Sequence, residues 1–287
     1  MIRRLYTDLI IPKIPMNTTD GYYSSPTPFH PIGSGLADLI RRLERITAIL
    51  EERNDPTRHF AKTYCHTNQA VLDEIHAGGF KDGEWMEMWG VAYAVKAVEA
   101  YEAMIEGRPT THPWTVAFAA SRNHPEMEVV RHFVIMLNAH LNHDLALGLL
   151  EVTTDSDFTD ESILAIREAD HAHVNYCLLR LVANEHKAIV EAQGHESLLE
   201  RIKSPFEEAA TKHWVVEARA KTWVNTRLLA AERAKPNHGR FEAYKRQLGE
   251  VTAERVEHLR KSREVVLNLA LEGFGVLIDP AQLIRHN

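Results

Sequence analysis

Two short segments carry polar side chains at positions where a helix would be expected to carry apolar ones. The first, LNAHLNHDLALGLL (137–150), holds two histidines, two asparagines and one aspartate within seven residues. The second, DHAHVNYCLL (170–179), has a similar mixture. Imidazole nitrogens and carboxylate oxygens bind divalent metals and exchange protons in catalysis. The two segments therefore predict a functional site, provided that the surrounding elements bring them together.

The helical period places the polar groups of the first segment in the protein interior. Residues three or four apart share one face of an α-helix. His140 and Asp144 continue the apolar row that reaches Leu137, so we expect both on the buried face. Asn138 and Asn142 form a second pair beside them.

The second segment follows the same pattern. Asp170 and His173 occupy successive positions of a core-facing row that continues to Cys177, and His171 and Asn175 form a neighbouring pair. The short connection at 151–160 makes the two helices natural antiparallel neighbours, with their polar groups at similar depth.

Burying ionisable groups without partners costs several kcal/mol each, so these groups need one another or a cation. Two imidazoles and two carboxylates suit Zn²⁺, Fe²⁺ or Mn²⁺ and leave open positions for water or substrate. The predicted metal ligands are His140, Asp144, Asp170 and His173. The first three are also the predicted catalytic acid/base groups. The residues expected to orient these ligands by hydrogen bonds are Asn138, Asn142 and Asn175.

Other interpretations of the same residues stay open. A buried His–Asp network that only fixes the register of the helices explains the pattern almost as well. His143 and Asp144 also form an HD dyad, as in metal-dependent phosphohydrolases, although the helix order fits that class poorly. Glu217 is a further candidate ligand, but an ion pair with Lys221 within its helix explains it more simply.

The composition indicates a soluble globular protein. Hydrophobic residues make up 45% of the 287 residues and charged residues 25%, with a formal net charge of −7. Without a basic patch, a nucleic-acid role is not expected. No run approaches the ~18 apolar residues of a membrane span. Cys65 and Cys177 have no disulfide-framework or zinc-knot spacing. We expect a cytoplasmic location, and the sequence leaves a homo-oligomer open.

The chain divides into a proline-rich extended arm over 1–34 and one helical bundle domain over 35–287. The fold class is therefore all-α. An aromatic row at multiples of four, containing Trp85, Trp89, Tyr93 and Tyr101, is expected to be core. The helical period predicts helices at 36–54, 58–78, 83–106, 126–150, 161–193, 204–234 and 239–271, with a short segment from 112 and a loop at 153–162.

The stretch NAHLNHDL (138–145) resembles the signature of an uncharacterised bacterial all-helical family, roughly Asn-Ala-His-Ile-Asn-x-Asp-Leu. Asn138, His140, Asn142 and Asp144 match it, whereas the position of His143 is variable. Diffuse similarity extends over about 60–230 in GGFKDGEWMEMW (78–89), PWTVAF (113–118), DHAHVN (170–175) and the stretch from 214 to 218. The resemblance implies an all-α fold and favours the pair of His140 and Asp144 over the HD dyad. It implies no activity, and His173 departs from the family pattern.

The sequence predicts a metal-dependent enzyme that acts on a small-molecule substrate, with hydrolysis by a metal-activated water as the simplest chemistry. A non-haem iron oxygenase is the redox alternative. A metal-free binding protein or cyclisation template, in which the polar cluster holds a ligand by hydrogen bonds, is the alternative from another class. No nucleotide-cofactor motif is present.

Overall fold

Helices form almost all of the described part of the chain, as the sequence predicts. The structure is a computed structural model that describes the backbone of residues 35–192, 205–261 and 273–281 and the side chains of 35–178, 213–261 and 273–281. No β-strand occurs within these backbone ranges. The arm predicted over 1–34 lies outside the described residues.

The observed helices follow the predicted order closely. They are α1 (Leu36–Glu52), α2 (Arg58–His76), α3 (Gly83–Glu106), α4 (His112–Asn123), α5 (Val129–Asn138), a π-helix (Ala139–Asp144), α6 (Leu145–Val152), α7 (Asp155–Thr159), α8 (Glu161–Ala192), α9 (Pro205–Arg233) and α10 (Gly239–Lys261). Two differences stand out. The predicted loop at 153–162 contains the short helix α7, and the helix predicted over 126–150 changes its hydrogen-bond period in the middle.

Local signals explain where several of these helices begin and end. The side chain of Asp82 accepts a hydrogen bond from the backbone N–H of Trp85 and so caps α3. Gly107 ends the same helix in a left-handed conformation, with φ of 71°. Thr154 and Asp157 form a reciprocal capping box at the start of α7.

Helix α3 lies at the centre of the bundle and packs against α1, α2, α6 and the π-helix. Its aromatic row is largely core, because Trp85, Trp89 and Tyr101 are buried and Tyr93 is half-buried against them. Gly148 of α6 allows a close approach to this helix. A Cβ atom there would lie only 3.2 Å from Cα of Tyr93.

Contrary to the expectation from the sequence, one described helical stretch, Val129–Val152, is long enough and apolar enough to cross a membrane by length and composition. In the described fold, 83% of its most apolar window is buried inside the protein. The stretch is therefore packed in the core of the described fold.

The segment 273–281 returns to the bundle and packs on α9 and α10. Phe274 is fully buried, and the side chains of Lys221 and Gln247 bond to backbone oxygens of Gly275 and Asp279. The last helix is described as far as Lys261. The rest of the predicted stretch, up to 271, lies outside the described residues.

Candidate functional site: a buried aspartate between two histidines

The polar motif lies in the π-helix that joins α5 to α6. A π-helix makes i→i+5 hydrogen bonds and so accommodates an extra residue in the turn, and such segments are frequent at functional sites. All six of its residues are buried, including His140, Asn142, His143 and Asp144. The turn therefore places four polar side chains in the protein interior together.

The carboxylate of Asp144 is the centre of this cluster. Its Oδ1 lies 2.9 Å from Nδ1 of His143, and its Oδ2 lies 3.2 Å from Nδ1 of His140. The indole N–H of Trp114 donates a third hydrogen bond to Oδ2 at 2.8 Å. Burial alone would raise the pKa of Asp144, but the hydrogen bonds from His140 and His143 lower it to about 2. Asp144 is therefore ionised at neutral pH.

The ionised carboxylate fixes the proton positions on both histidines. A carboxylate only accepts hydrogen bonds, so His140 and His143 must each donate through Nδ1. In the neutral form of each ring, Nε2 then carries the lone pair. The pKa of His140 is lowered by burial, against the opposing effect of Asp144, so this ring is neutral at neutral pH.

His140 is held by aromatic rings rather than exposed to solvent. Its ring stacks on Tyr93 with the centroids 3.9 Å apart and meets the edge of Tyr64 at 4.3 Å. Its Nε2 is buried and has no hydrogen-bond partner among the described residues. His140 therefore positions and stabilises Asp144 and is not accessible to a ligand.

His143 differs because it borders an open cavity. His143, Asp144 and Trp114 line a cavity of about 670 Å³, together with residues of α1, α3 and the loop from Arg108 to Thr111. About 10% of the His143 side chain is exposed. A ligand in this cavity would lie beside an imidazole that is held by a buried carboxylate.

The charged groups at the rim of the cavity are mostly paired. Arg42 makes a bidentate ion pair with Glu102, at 2.9 and 2.7 Å. Lys96 pairs with Glu151 at 2.5 Å, so these rim charges are offset by neighbours of opposite sign.

Asn138 and Asn142 do not contact the Asp144 carboxylate. The amide of Asn138 donates to the backbone oxygen of Thr252, and its oxygen accepts from Asn142. Asn142 also donates to the oxygen of Phe274 and accepts from the N–H of Val276. These asparagines fasten the π-helix to α10 and to the segment 273–281, rather than orienting metal ligands as predicted.

Asp170 lies apart from His140 and Asp144, contrary to the prediction. Its two oxygens accept hydrogen bonds from the backbone N–H groups of Lys81 and Asp82, both at 2.8 Å, just before α3 begins. Tyr93, on which His140 stacks, is eleven residues further along α3, or ~16 Å at ~1.5 Å per residue. The buried carboxylate of Asp170 therefore has its hydrogen-bond partners in backbone N–H groups at the start of α3.

His173 also lies outside the cluster around Asp144. Its Nε2 is 2.8 Å from the carboxylate of Glu74 on α2, and 31% of its side chain is exposed. Asn175, two residues further on, has a buried amide oxygen without a partner among the described residues. The predicted four-residue metal site is therefore not assembled, because His140 and Asp144 lie in one place and Asp170 and His173 in others.

Glu217 holds the chain near residue 274. Its carboxylate accepts from the N–H groups of Phe274 and Gly275, at 3.0 and 2.9 Å. It also pairs with Lys221, as the spacing predicts. Both contacts account for Glu217 without a metal.

The sequence analysis missed two features of this interior. One is the hydrogen bond from Trp114 to Asp144. The two residues lie on different helices, thirty residues apart, so the helical period does not relate them. Arg219 is buried, lies over the ring of Trp89 and donates to the backbone oxygen of His171 at 2.5 Å. Burial lowers its pKa to about 10, and no ion pair with a carboxylate is seen among the described side chains. Its place four residues before the buried Trp223 was the only sequence signal.

The fold and the site define an all-α protein with a buried His–Asp–His cluster beside a cavity. A family model described as "Family of unknown function (DUF5995)" matches residues 36–262. The chain belongs to this family, which agrees with the resemblance to an uncharacterised family seen in the sequence. No curated protein and no solved structure matches the chain.

Proposed function

We propose that the chain is an enzyme that acts on a small molecule in the cavity lined by His143 and Asp144, with His143 as the general base. The observation that carries this proposal is the hydrogen bond from Nδ1 of His143 to a buried, ionised carboxylate. Such a pairing holds the ring in one tautomer and stabilises the imidazolium that forms when Nε2 accepts a proton.

Hydrolysis is the simplest reaction for this arrangement. Nε2 of His143 takes a proton from a water molecule, and the resulting hydroxide attacks the carbonyl or phosphoryl centre of a bound substrate. The bond to the leaving group then breaks, and His143 returns the proton to that group. Asp144 stays ionised throughout and offsets the positive charge on His143. His140 and Trp114 are positioning residues, because each holds Asp144 through a hydrogen bond.

The geometry favours this mechanism over a metal bound directly by Asp144. The two oxygens of Asp144 already accept three hydrogen bonds, and Nδ1 of His140 is used as one of the donors. A metal-activated water or a non-haem iron centre at this place would have to break that network. Hydrolysis by a metal-activated water would therefore need ligands other than His140 and Asp144.

A metal-free binding protein is the second candidate. The paired charges at the rim and the closed hydrogen-bond network around Asp144 are typical of a preorganised binding site. In that case the cavity binds a small molecule without converting it. A cytoplasmic location and a homo-oligomeric state stay predictions from the sequence.

A hydrolysis screen tests the proposal. The wild-type protein, His143→Gln and His238→Gln are assayed against a panel of small carboxylic esters, amides and phosphate esters, with direct binding measured for the same compounds. His238 is exposed and far along the chain from the cluster, so it is the matched control. We expect turnover that His143→Gln reduces by at least about 100-fold and His238→Gln leaves unchanged. Turnover that survives in His143→Gln would contradict the proposal, and binding without turnover would favour the second candidate.

A further inference from the structure

A second cluster of chemically active side chains lies between α2 and α8, away from Asp144. Glu74 of α2 faces His173 and Cys177 of α8, which are four residues apart and so share one face of their helix. Nε2 of His173 is 2.8 Å from Oε1 of Glu74. One potential ligand atom from each of the three residues lies within 4.8 Å of the other two.

We propose that Glu74, His173 and Cys177 form a transition-metal site, and that Zn²⁺ is the ion that fits it. The donors are a carboxylate oxygen, an imidazole nitrogen and a sulfur. Sulfur selects against Mg²⁺ and Ca²⁺, whereas Zn²⁺ accepts all three donor types. Three protein donors also leave the fourth tetrahedral position open for water.

The distances allow the donors to close on an ion without moving the helices. Zn²⁺ binds such atoms at about 2.0–2.3 Å, which places neighbouring donors of a tetrahedral site about 3.5 Å apart. Atoms at the 4.8 Å limit need to approach by about 1.3 Å, whereas Nε2 of His173 and Oε1 of Glu74, now 2.8 Å apart, need to separate slightly. Small changes of side-chain torsion angles achieve this. The hydrogen bond between His173 and Glu74 would then be replaced by two bonds to the metal.

The surroundings limit the motion of the three side chains. Cys177 is buried, and the side chains of Glu74 and His173 are only 12% and 31% exposed. The edge of Phe80 packs against the ring of His173, with the centroids 5.1 Å apart. The partial exposure of His173 provides a path for the ion from solvent.

The turn after α2 also accommodates the Glu74 carboxylate. A Cβ atom on Gly79 would lie 2.0 Å from Oε1 and 2.5 Å from Cδ of Glu74. A side chain at residue 79 would therefore force the Glu74 carboxylate out of its present position, in which it lies 2.8 Å from Nε2 of His173. The glycine thus leaves room for the carboxylate beside His173.

The site is independent of the proposed general base, and it gives the metal predicted from the sequence a different set of ligands. His173 was among the predicted ligands, but its partners are Glu74 and Cys177 rather than His140, Asp144 and Asp170. The function proposed above does not depend on this metal, so each proposal can fail without the other.

Cobalt substitution tests the site directly in the full chain, purified without a polyhistidine tag. Co²⁺ bound to a thiolate has a charge-transfer band in the near ultraviolet, and competition with Zn²⁺ gives the zinc affinity. We expect one thiolate-bound Co²⁺ per chain, displaced by Zn²⁺. Cys177→Ser should abolish the band and weaken Zn²⁺ binding by at least about tenfold. Gly79→Ala should weaken binding by roughly tenfold through the displaced Glu74.

Two control variants make the result specific. Cys65→Ser changes the other buried cysteine of the chain and should keep the band. His143→Gln should also keep it, which separates this site from the proposed general base. Circular dichroism verifies the fold of each variant. If Cys177→Ser unfolds, Glu74→Gln replaces it and should weaken Zn²⁺ binding by at least about tenfold; an unchanged Zn²⁺ affinity in that variant would overturn the proposal. The proposal is overturned if the wild-type protein takes up neither ion, if Co²⁺ binds without a thiolate band, or if the band survives in Cys177→Ser.

Discussion

Replacing Asp144 with asparagine keeps the shape of a buried side chain and removes its charge. Trp114 can only donate its hydrogen bond, and it donates to Oδ2, as His140 also does. The amide oxygen of the asparagine must therefore take the place of Oδ2. Its NH₂ group then faces Nδ1 of His143, which has to give up its proton to avoid two opposed donors.

The stability change follows from the pKa of Asp144. This pKa is about 2 in the folded protein, compared with the usual 3.8. At about 1.4 kcal/mol per pKa unit, the ionised carboxylate stabilises the fold by about 2 kcal/mol at neutral pH. Because the folded pKa is the lower one, this stability is present above the unfolded value and is lost as the pH falls from 3.8 towards about 2. Asp144→Asn lacks this contribution at every pH.

Urea unfolding followed by circular dichroism measures the difference. At neutral pH we expect Asp144→Asn to be about 2 kcal/mol less stable than the wild-type protein, with a melting temperature lower by roughly 4–8 °C. The difference should shrink as the pH is lowered. Asp73→Asn, a change at an exposed aspartate of α2, should stay within about 0.5 kcal/mol of wild type. A difference of equal size at neutral and acid pH, or one no larger than that of Asp73→Asn, would refute the reasoning.

Three further substitutions test the packing around the site by the same unfolding measurement. Asp170→Ala leaves two backbone N–H groups at the start of α3 without their acceptor and should cost about 3 kcal/mol. A loss below about 1 kcal/mol would contradict the capping role. Gly148→Ala forces a methyl group to 3.2 Å from the backbone of Tyr93 and should cost about 1–3 kcal/mol. Gly249→Ala meets only ring atoms of His143, at 4.0 Å, and should stabilise α10 by roughly 0.5–1 kcal/mol. If Gly148→Ala were the more stable of these two variants, the contacts of α6 with α3 and of α10 with the π-helix would differ from those described.

The helical period was sufficient to predict the fold class and most helix positions. It also placed His140 and Asp144 together, because residues four apart meet on one face whether the turn is α or slightly wider. It could not place His143 in the same cluster. The helical period puts His143 about 100° round the helix from Asp144, whereas in the structure its Nδ1 lies 2.9 Å from Oδ1 of Asp144 within the π-helix.

The position of Asp170 shows a different limit of sequence analysis. Its place in a core-facing row correctly predicted burial, and burial of a carboxylate requires a partner. The partner is a pair of backbone N–H groups before α3, and backbone groups leave no mark in the sequence. The sequence analysis therefore assigned Asp170 to side-chain partners, namely His140, Asp144 and His173. His173 is likewise predicted to join that group. Its partner in the structure is Glu74, on a helix about a hundred residues earlier in the chain.

The tautomer of His143 tests the central claim most directly, and ¹⁵N NMR of the imidazole rings measures it without knowledge of a substrate. The account predicts that, in the neutral wild-type ring, Nδ1 carries the proton and Nε2 the lone pair, as a general base requires. In Asp144→Asn the proton should move to Nε2. A wild-type His143 that is protonated on Nε2 when neutral, or a tautomer that does not change in Asp144→Asn, would contradict the claim that Asp144 holds His143 as a base.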